Sequence, residues 1–194
     1  LQLSLLNVDF FFFFLDDVCR YFGNTEGYAY MNEHPKYDEL YNIAEAQAGY
    51  FTTRQARSAG YTYERLSDLT KRGQLVRVHH GVYRLAYFPA SRFEDLHIAN
   101  LRTGSSSVIS HDSALSVYGL SDMLPSQPHV IIPRSGSLRR KGIRLHTNRI
   151  RADEITTREG LPITTPERTI ADMIASGLEF GFVKQAIEQA LRRG

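Results

Sequence analysis

Apolar positions between residues 36 and 88 form three short helical stripes, followed by one alternating stretch. Tyr37, Leu40, Tyr41 and Ala44 recur at helical spacing, with Pro35 suited to a first turn and Gly49 to a stop. Thr52 is a good N-cap for a second helix, Thr53–Ala59, closed by Gly60. Thr62 caps a third, with Leu66 and Leu69 as its stripe and Gly73 at its end. Gly60 suits the tight turn of a helix-turn-helix, which needs a residue tolerant of positive φ. Leu75 to Leu85 then alternates. With His80-Gly81 as a two-residue turn, Val78 faces Tyr83 and Val76 faces Leu85, leaving Arg77, His79, Val82 and Arg84 on the other side. Three helices and a basic hairpin predict a winged helix-turn-helix over residues 33–88.

The pattern changes after Pro89-Ala90, which reads as a short joint. Ser91 caps a helix with Phe93, Leu96 and Ile98 to Leu101 on its apolar side. A brief strand, Val108-Ile109, precedes a helix capped by Ser110 that carries Ala114, Leu115 and Tyr118. His129–Ile132, Ile143–Thr147, Ile155–Thr157 and Pro162–Thr164 read as strands. Thr165-Pro-Glu opens a helix with cap, N1 proline and early acid, with Ile170, Met173 and Ile174 as its apolar side. A last helix holds Phe182, Ala186, Ile187 and Ala190. Helices and strands in mixed order predict a small mixed α/β domain over residues 91–194, and an α+β class for the whole chain.

Residues 1–30 fit neither part. They have no helix period and no alternation, and they carry the run Phe10 to Phe14 flanked by Asp9, Asp16 and Asp17. A secretory signal needs a basic start and a longer apolar core. We read the segment as a translated leader ahead of Met31, or as a disordered extension. No apolar run reaches the roughly 18 residues a membrane helix needs, so a membrane partner is not expected and the bacterial cytoplasm is.

Charge sharpens the first half. The formal net charge is only +2, which by itself argues against strong nucleic-acid binding. Yet Thr52 to Arg84 holds seven bases against two acids. On a winged helix, the third helix enters the major groove. Its outward residues are Thr62, Tyr63, Glu64, Arg65, Ser67 and Asp68. Arg65 suits a bidentate contact to guanine, and Glu64 can accept from a cytosine amine. Lys71, Arg72, Arg77 and Arg84 suit phosphates, with His79 and His80 at the hairpin tip and the N–H groups near Thr52, Thr53 and Arg54 assisting. Double-stranded operator DNA is the expected partner, bound by a homodimer; a winged helix used only for protein contact is the bland alternative. A second basic block, Arg134, Arg139, Arg140, Lys141, Arg144, Arg149 and Arg151, contains no acid from 134 to 151. It reads either as protection of a strand edge or as a second anionic contact.

Catalysis finds little support. His111-Asp112 lies beside Ser110 and Ser113, but neighbours on one helical turn do not supply a converging triad. Asp112 and Ser113 fit better as stabilisers of that helix's N-terminus. Glu159, Glu167, Asp172 and Lys184 match no metal-nuclease spacing. The seven histidines are scattered, with His79-His80 as the only adjacent pair, and one cysteine excludes a cysteine-only zinc site. Neither an enzyme, a metal nor a cofactor is expected. A nuclease or other nucleic-acid-modifying enzyme targeted by the winged helix is the competing reading.

Several blocks are similar to a known family. Gly49-Tyr-Phe-Thr-Thr-Arg-Gln-Ala-Arg-Ser-Ala-Gly60 and Arg72-Gly-Gln-Leu-Val-Arg-Val-His-His-Gly-Val-Tyr-Arg84 resemble the N-terminal domain of AbiEi-type antitoxins of type IV (abortive-infection) toxin–antitoxin systems. Val108-Ile-Ser-His-Asp-Ser-Ala-Leu115 with Gly119-Leu120, and Gly160-Leu-Pro-Ile-Thr-Thr-Pro-Glu-Arg-Thr-Ile-Ala-Asp172, resemble that family's second domain. The resemblance spans about residues 33–194. It implies a transcriptional repressor that autoregulates its operon and counters a nucleotidyltransferase-like toxin.

Overall fold

The computed structural model describes residues 36–120, 125–133 and 140–177. The expected leader, Pro35, Arg134, Arg139, Lys184 and the final helix around Phe182 lie outside the described residues. The chain is α+β, with helices and two sheets.

The first half runs α1 (Tyr37–Ala46), β1 (Tyr50–Thr52), α2 (Thr53–Ser58), α3 (Tyr63–Lys71), β2 (Leu75–His79) and β3 (Val82–Leu85). Its strands form an antiparallel sheet in the order β1-β3-β2. Strand β1, which sequence reasoning missed, pairs Tyr50 with Arg84, Phe51 with Tyr83 and Thr52 with Val82. Opposed residues share a face, so Phe51, Tyr83, Leu75 and Leu85 form one side. That side packs with Leu40, Ala44, Ala56 and Leu66 in the first core.

The hairpin register differs from the expected one. The two-residue turn is present, with His79 opposite Val82, but a bulge between Arg77 and His79 shifts the rest of β2 by one position. Leu75, not Val76, therefore faces Leu85, and Val76 is 38% exposed. One extra residue in a period-two pattern exchanges the faces of everything beyond it.

The second half contributes α4 (Glu94–Thr103), β4 (Val108–Ile109), α5 (His111–Tyr118), β5 (His129–Ile131), β6 (Arg144–His146), a 3₁₀ turn (Ala152–Glu154), β7 (Ile155–Arg158), β8 (Leu161–Thr164) and α6 (Pro166–Ala175). The mixed sheet has the order β6-β5-β4-β8-β7, with β4–β8 and β5–β6 parallel. Its core gathers Leu96, Ile109, Leu115, Val130, Ile163 and Met173. Thr165 caps α6, its side chain accepting from Arg168 N. Ile174, expected on the apolar side of α6, is 56% exposed; Thr169 and Asp172 are buried there instead. Ser91 precedes α4 without capping it, because the helix begins after Phe93, whose N–H donates to Ser91 Oγ.

The two cores meet across α4. Tyr50 donates its hydroxyl to Glu94 (2.9 Å), accepts from Ser91 N (3.1 Å), and stacks on His97 with centroids 4.8 Å apart. Pro89-Ala90 is thus bracketed by packed contacts on both sides.

Gly49 shows what the turn into β1 demands. Its φ is +90°, and a Cβ would sit 2.5 Å from Phe88 Cβ and Cγ. Gly49→Ala combines left-handed strain with overpacking and should cost about 3 kcal/mol. At Gly73 (φ +72°) nothing lies within 4 Å of the added carbon, so Gly73→Ala should cost only about 1 kcal/mol of strain. Denaturant unfolding of both variants checks this, and equal costs would show that the Phe88 contact is not limiting.

Candidate nucleic-acid interface

Helix α3 is held at its start by Thr62, whose hydroxyl accepts from Arg65 N (3.2 Å). Leu66 is fully buried, and this anchors the rotation of the helix. Tyr63, Glu64, Arg65, Ser67, Asp68, Lys71 and Arg72 consequently all face solvent. Tyr63, at 59% exposure, lies under the Arg57 guanidinium (5.2 Å to the ring centroid). With Thr53, Arg54 and Ser58 these two line an open cleft between α2 and α3. Arg57 was missed in the sequence reading; its only signal was its place in the basic stretch before Gly60. The Glu64 carboxyl is held below its usual value, chiefly by its own backbone N–H and then by the Thr62 hydroxyl. Lys71 pairs loosely with Asp68 at 3.9 Å, both exposed.

The start of α2 differs from expectation. Thr52 N–H donates to Gln55 Oε1 (2.8 Å), Gln55 N–H donates to Thr52 Oγ1 (3.2 Å), and Thr53 N–H donates to the Gly81 carbonyl (2.9 Å). These N–H groups are spent on a capping box and on docking the hairpin, so they are not open to phosphate. Arg54 remains exposed.

On the hairpin, Arg77 is exposed and its Nη2 lies 2.9 Å from His80 Nδ1; His79 Nδ1 lies 3.2 Å from the His80 carbonyl. Arg84 is not available as expected. Its side chain is 13% exposed, 3.9 Å from Glu94 Oε2, and donates to the Phe88 carbonyl. It sits on the central strand, on the sheet face that also bears Tyr50 and that α4 covers.

The second basic block is partly dispersed. Arg140, Lys141, Arg144 and Arg149 are exposed and, among the described residues, have no ion-pair partner. Arg151 is engaged with Asp153 (3.1 Å) and Glu154 (3.7 Å), acids just beyond the window. His146, within this window, stacks on His111 at 3.7 Å.

Among the described groups considered for catalysis, Ser113, Glu159 and Asp172 each have other partners. Ser110 Oγ lies 2.9 Å from His111 Nδ1, but Ser110 is fully buried. Ser113 accepts from His129 N (2.8 Å) instead of serving its helix. Glu159 pairs with Arg92 (3.6 Å). Asp172 is held by Arg168 (3.0 Å), which also binds Glu154 (2.7 Å). The histidines, by contrast, are not all scattered: His111, His129 and His146 converge from α5, β5 and β6, each offering a nitrogen within 4.8 Å of the others.

Two family models match the chain. One, described as a transcriptional regulator, AbiEi antitoxin, covers residues 38–86. The other, the AbiEi antitoxin C-terminal domain, covers residues 107–192. No curated protein matches it. The first match runs from α1 to the end of the hairpin, and the second takes in the mixed sheet from β4 onward. With both matched in order, the chain belongs to the AbiEi family of antitoxin transcriptional regulators.

Proposed function

We propose that this antitoxin represses its own operon by setting α3 in the major groove of operator DNA, acts without catalysis, and counters a nucleotidyltransferase-like toxin. The observation that carries the DNA reading is the solvent face of α3. Six polar side chains, with Arg72 just past its end, stand clear on a helix whose capped start and buried Leu66 fix its orientation. Arg65, on the first turn, reads a base; it is joined by the exposed Arg54, Arg57, Arg72, Arg77 and His80 as phosphate contacts. Glu64 is ionised and free to accept from a cytosine amine. Arg84, Thr52 and Thr53 hold the fold instead of the DNA. The exposed bases Arg140, Lys141, Arg144 and Arg149 add backbone contacts flanking the operator. The toxin's class and autoregulation rest on the family resemblance.

Arg65→Ala should cost about 1–3 kcal/mol on the operator and relax preference at one base pair. Arg77→Ala should weaken all duplexes alike and lower the salt slope by roughly one. Binding assays on a library of operator variants separate the two. Unchanged base preference in Arg65→Ala would remove α3 from the groove. The nuclease alternative is checked by incubating the protein and divalent ions with promoter DNA and total RNA, where no cleavage is expected.

A further inference from the structure

We propose that His111, His129 and His146 form a binding site for one zinc-class divalent ion inside the second half of the chain. The three side chains come from the first residue of α5, the first of β5 and the last of β6. They meet because β5 and β6 run parallel in register: His129 opposes Arg144 and Ile131 opposes His146, so both histidines share one sheet face, where the His111 ring meets them. Ring centroids are 3.7 Å apart for His111–His146, 5.2 Å for His129–His146 and 5.9 Å for His111–His129.

Several features distinguish this cluster from ordinary packing. Buried ring nitrogens normally find a partner, yet His129 Nδ1 and His146 Nε2 are both buried without a hydrogen bond. Asp112 Oδ2 is 3.5 Å from His129 Nδ1 but not in hydrogen-bonding geometry. His111 holds φ +51°, a left-handed conformation costly for a residue with a Cβ and common at functional sites. Ser110 Oγ engages His111 Nδ1, which fixes the ring as an outer partner does for a metal-ligating histidine and leaves Nε2 to ligate.

Neutral imidazoles select zinc and its neighbours over magnesium or calcium. Three histidines leave one tetrahedral position, which water or Asp112 fills. Nitrogens on one zinc ion stand roughly 3.4 Å apart for bonds of about 2.0–2.1 Å. The widest pair must therefore close from as much as 4.8 Å, and the His111–His146 stack must fan open so that its lone pairs converge. His111 is 3% exposed and His129 9%, too enclosed for a nucleic-acid substrate. The ion is structural: it ties the start of α5 to the edge strand that carries Arg144. Arg144 and Arg168 oppose the added charge, while Asp112 and Asp172 favour it.

The test uses the full chain without an affinity tag, stripped with chelator. Cobalt(II) should bind with one equivalent and give the intense visible bands of tetrahedral coordination, which zinc then abolishes. Zinc should raise the thermal midpoint by about 5 °C when in large excess over its Kd. His146→Gln and His129→Gln, each first shown to keep the metal-free midpoint, should weaken zinc at least tenfold; His79→Ala with His80→Ala should not. Should the Gln variants misfold, ring proton–nitrogen spectra of the wild type decide, since three of the seven histidines should shift together. An unchanged midpoint with no cobalt bands would overturn the site, as would binding that survives both Gln variants but is lost in Cys19→Ser or the hairpin pair.

Discussion

Lowering the pH from 7 to 5 should cost the protein about 4–6 kcal/mol of stability, enough to bring a domain of ordinary stability close to its unfolding midpoint. The cause is a set of imidazoles kept neutral by the fold. Burial lowers His97 to about 4. Burial, with the nearby His146, His129, Arg144 and Arg168, lowers His111 to about 3. Burial, with His129 and Arg144, lowers His146 to about 4, with Asp172 and Asp112 opposing. In the unfolded chain these rings titrate near 6.5. Below that value the unfolded state takes up protons that the folded state refuses, so stability is fully present above about 6.5. It is lost as the pH falls towards 4 for His97 and His146, and towards 3 for His111. Thermal midpoints at pH 8, 7, 6 and 5 with chelator present measure the effect. His97→Phe preserves a ring against Tyr50 and removes one titrating group, so its midpoint should depend less steeply on pH. A flat profile between pH 7 and 5 would mean that the rings accept protons in place.

The same histidines mark where sequence reasoning stopped. Local chemistry was legible. Thr52, Thr62 and Thr165 each accept a hydrogen bond from the third residue of the helix they open, as their types and positions predicted. These caps are settled within four residues, whereas Ser91 and Ser110, expected to do the same, make no cap hydrogen bond. His111, His129 and His146 are separated by strands and a helix, and only the parallel register of β5 with β6 brings them together. Linear spacing carries no trace of that register.

The hairpin failed for an intermediate reason. Its turn and its strands were correct, but the bulge after Arg77 cannot be read from alternation, because an extra residue leaves both halves alternating. Arg84 was misplaced for a different cause. It looked outward while the hairpin was considered alone, whereas β1 makes β3 a central strand and α4 covers the face that Arg84 shares with Tyr50. A cation at such a position is matched by an acid from another element, here Glu94. Charge counts along the chain could not separate Arg84 from Arg77. Arg151 left the second basic block for a local reason instead: Asp153 and Glu154, two and three residues further on, pair with it.

What remains of that block should have a large effect on binding. Reversing Arg140, Lys141 and Arg144 to Glu is expected to weaken operator affinity about 500-fold at 0.1 M salt and little at 1 M. The figure follows from counterion release. Three phosphate contacts contribute a slope of about −2.7 in log affinity against log salt, so ten-fold dilution from 1 M is worth roughly 2.7 decades. Base preference should not change, because backbone contacts set register without reading sequence. The three side chains are exposed on or beside the edge strand β6, so folding should tolerate the change, and a thermal midpoint verifies it. Two other outcomes would move the patch elsewhere. Intact DNA affinity with lost toxin neutralisation, in cells expressing both proteins, would assign it to an acidic surface on the toxin. Intact DNA affinity and intact neutralisation would leave edge protection, since Glu also deters pairing at an open strand. The salt series discriminates best. A general electrostatic penalty from six units of altered charge would shift all duplexes at every site on the protein, but only lost contacts reduce the slope by a number close to the count of residues reversed.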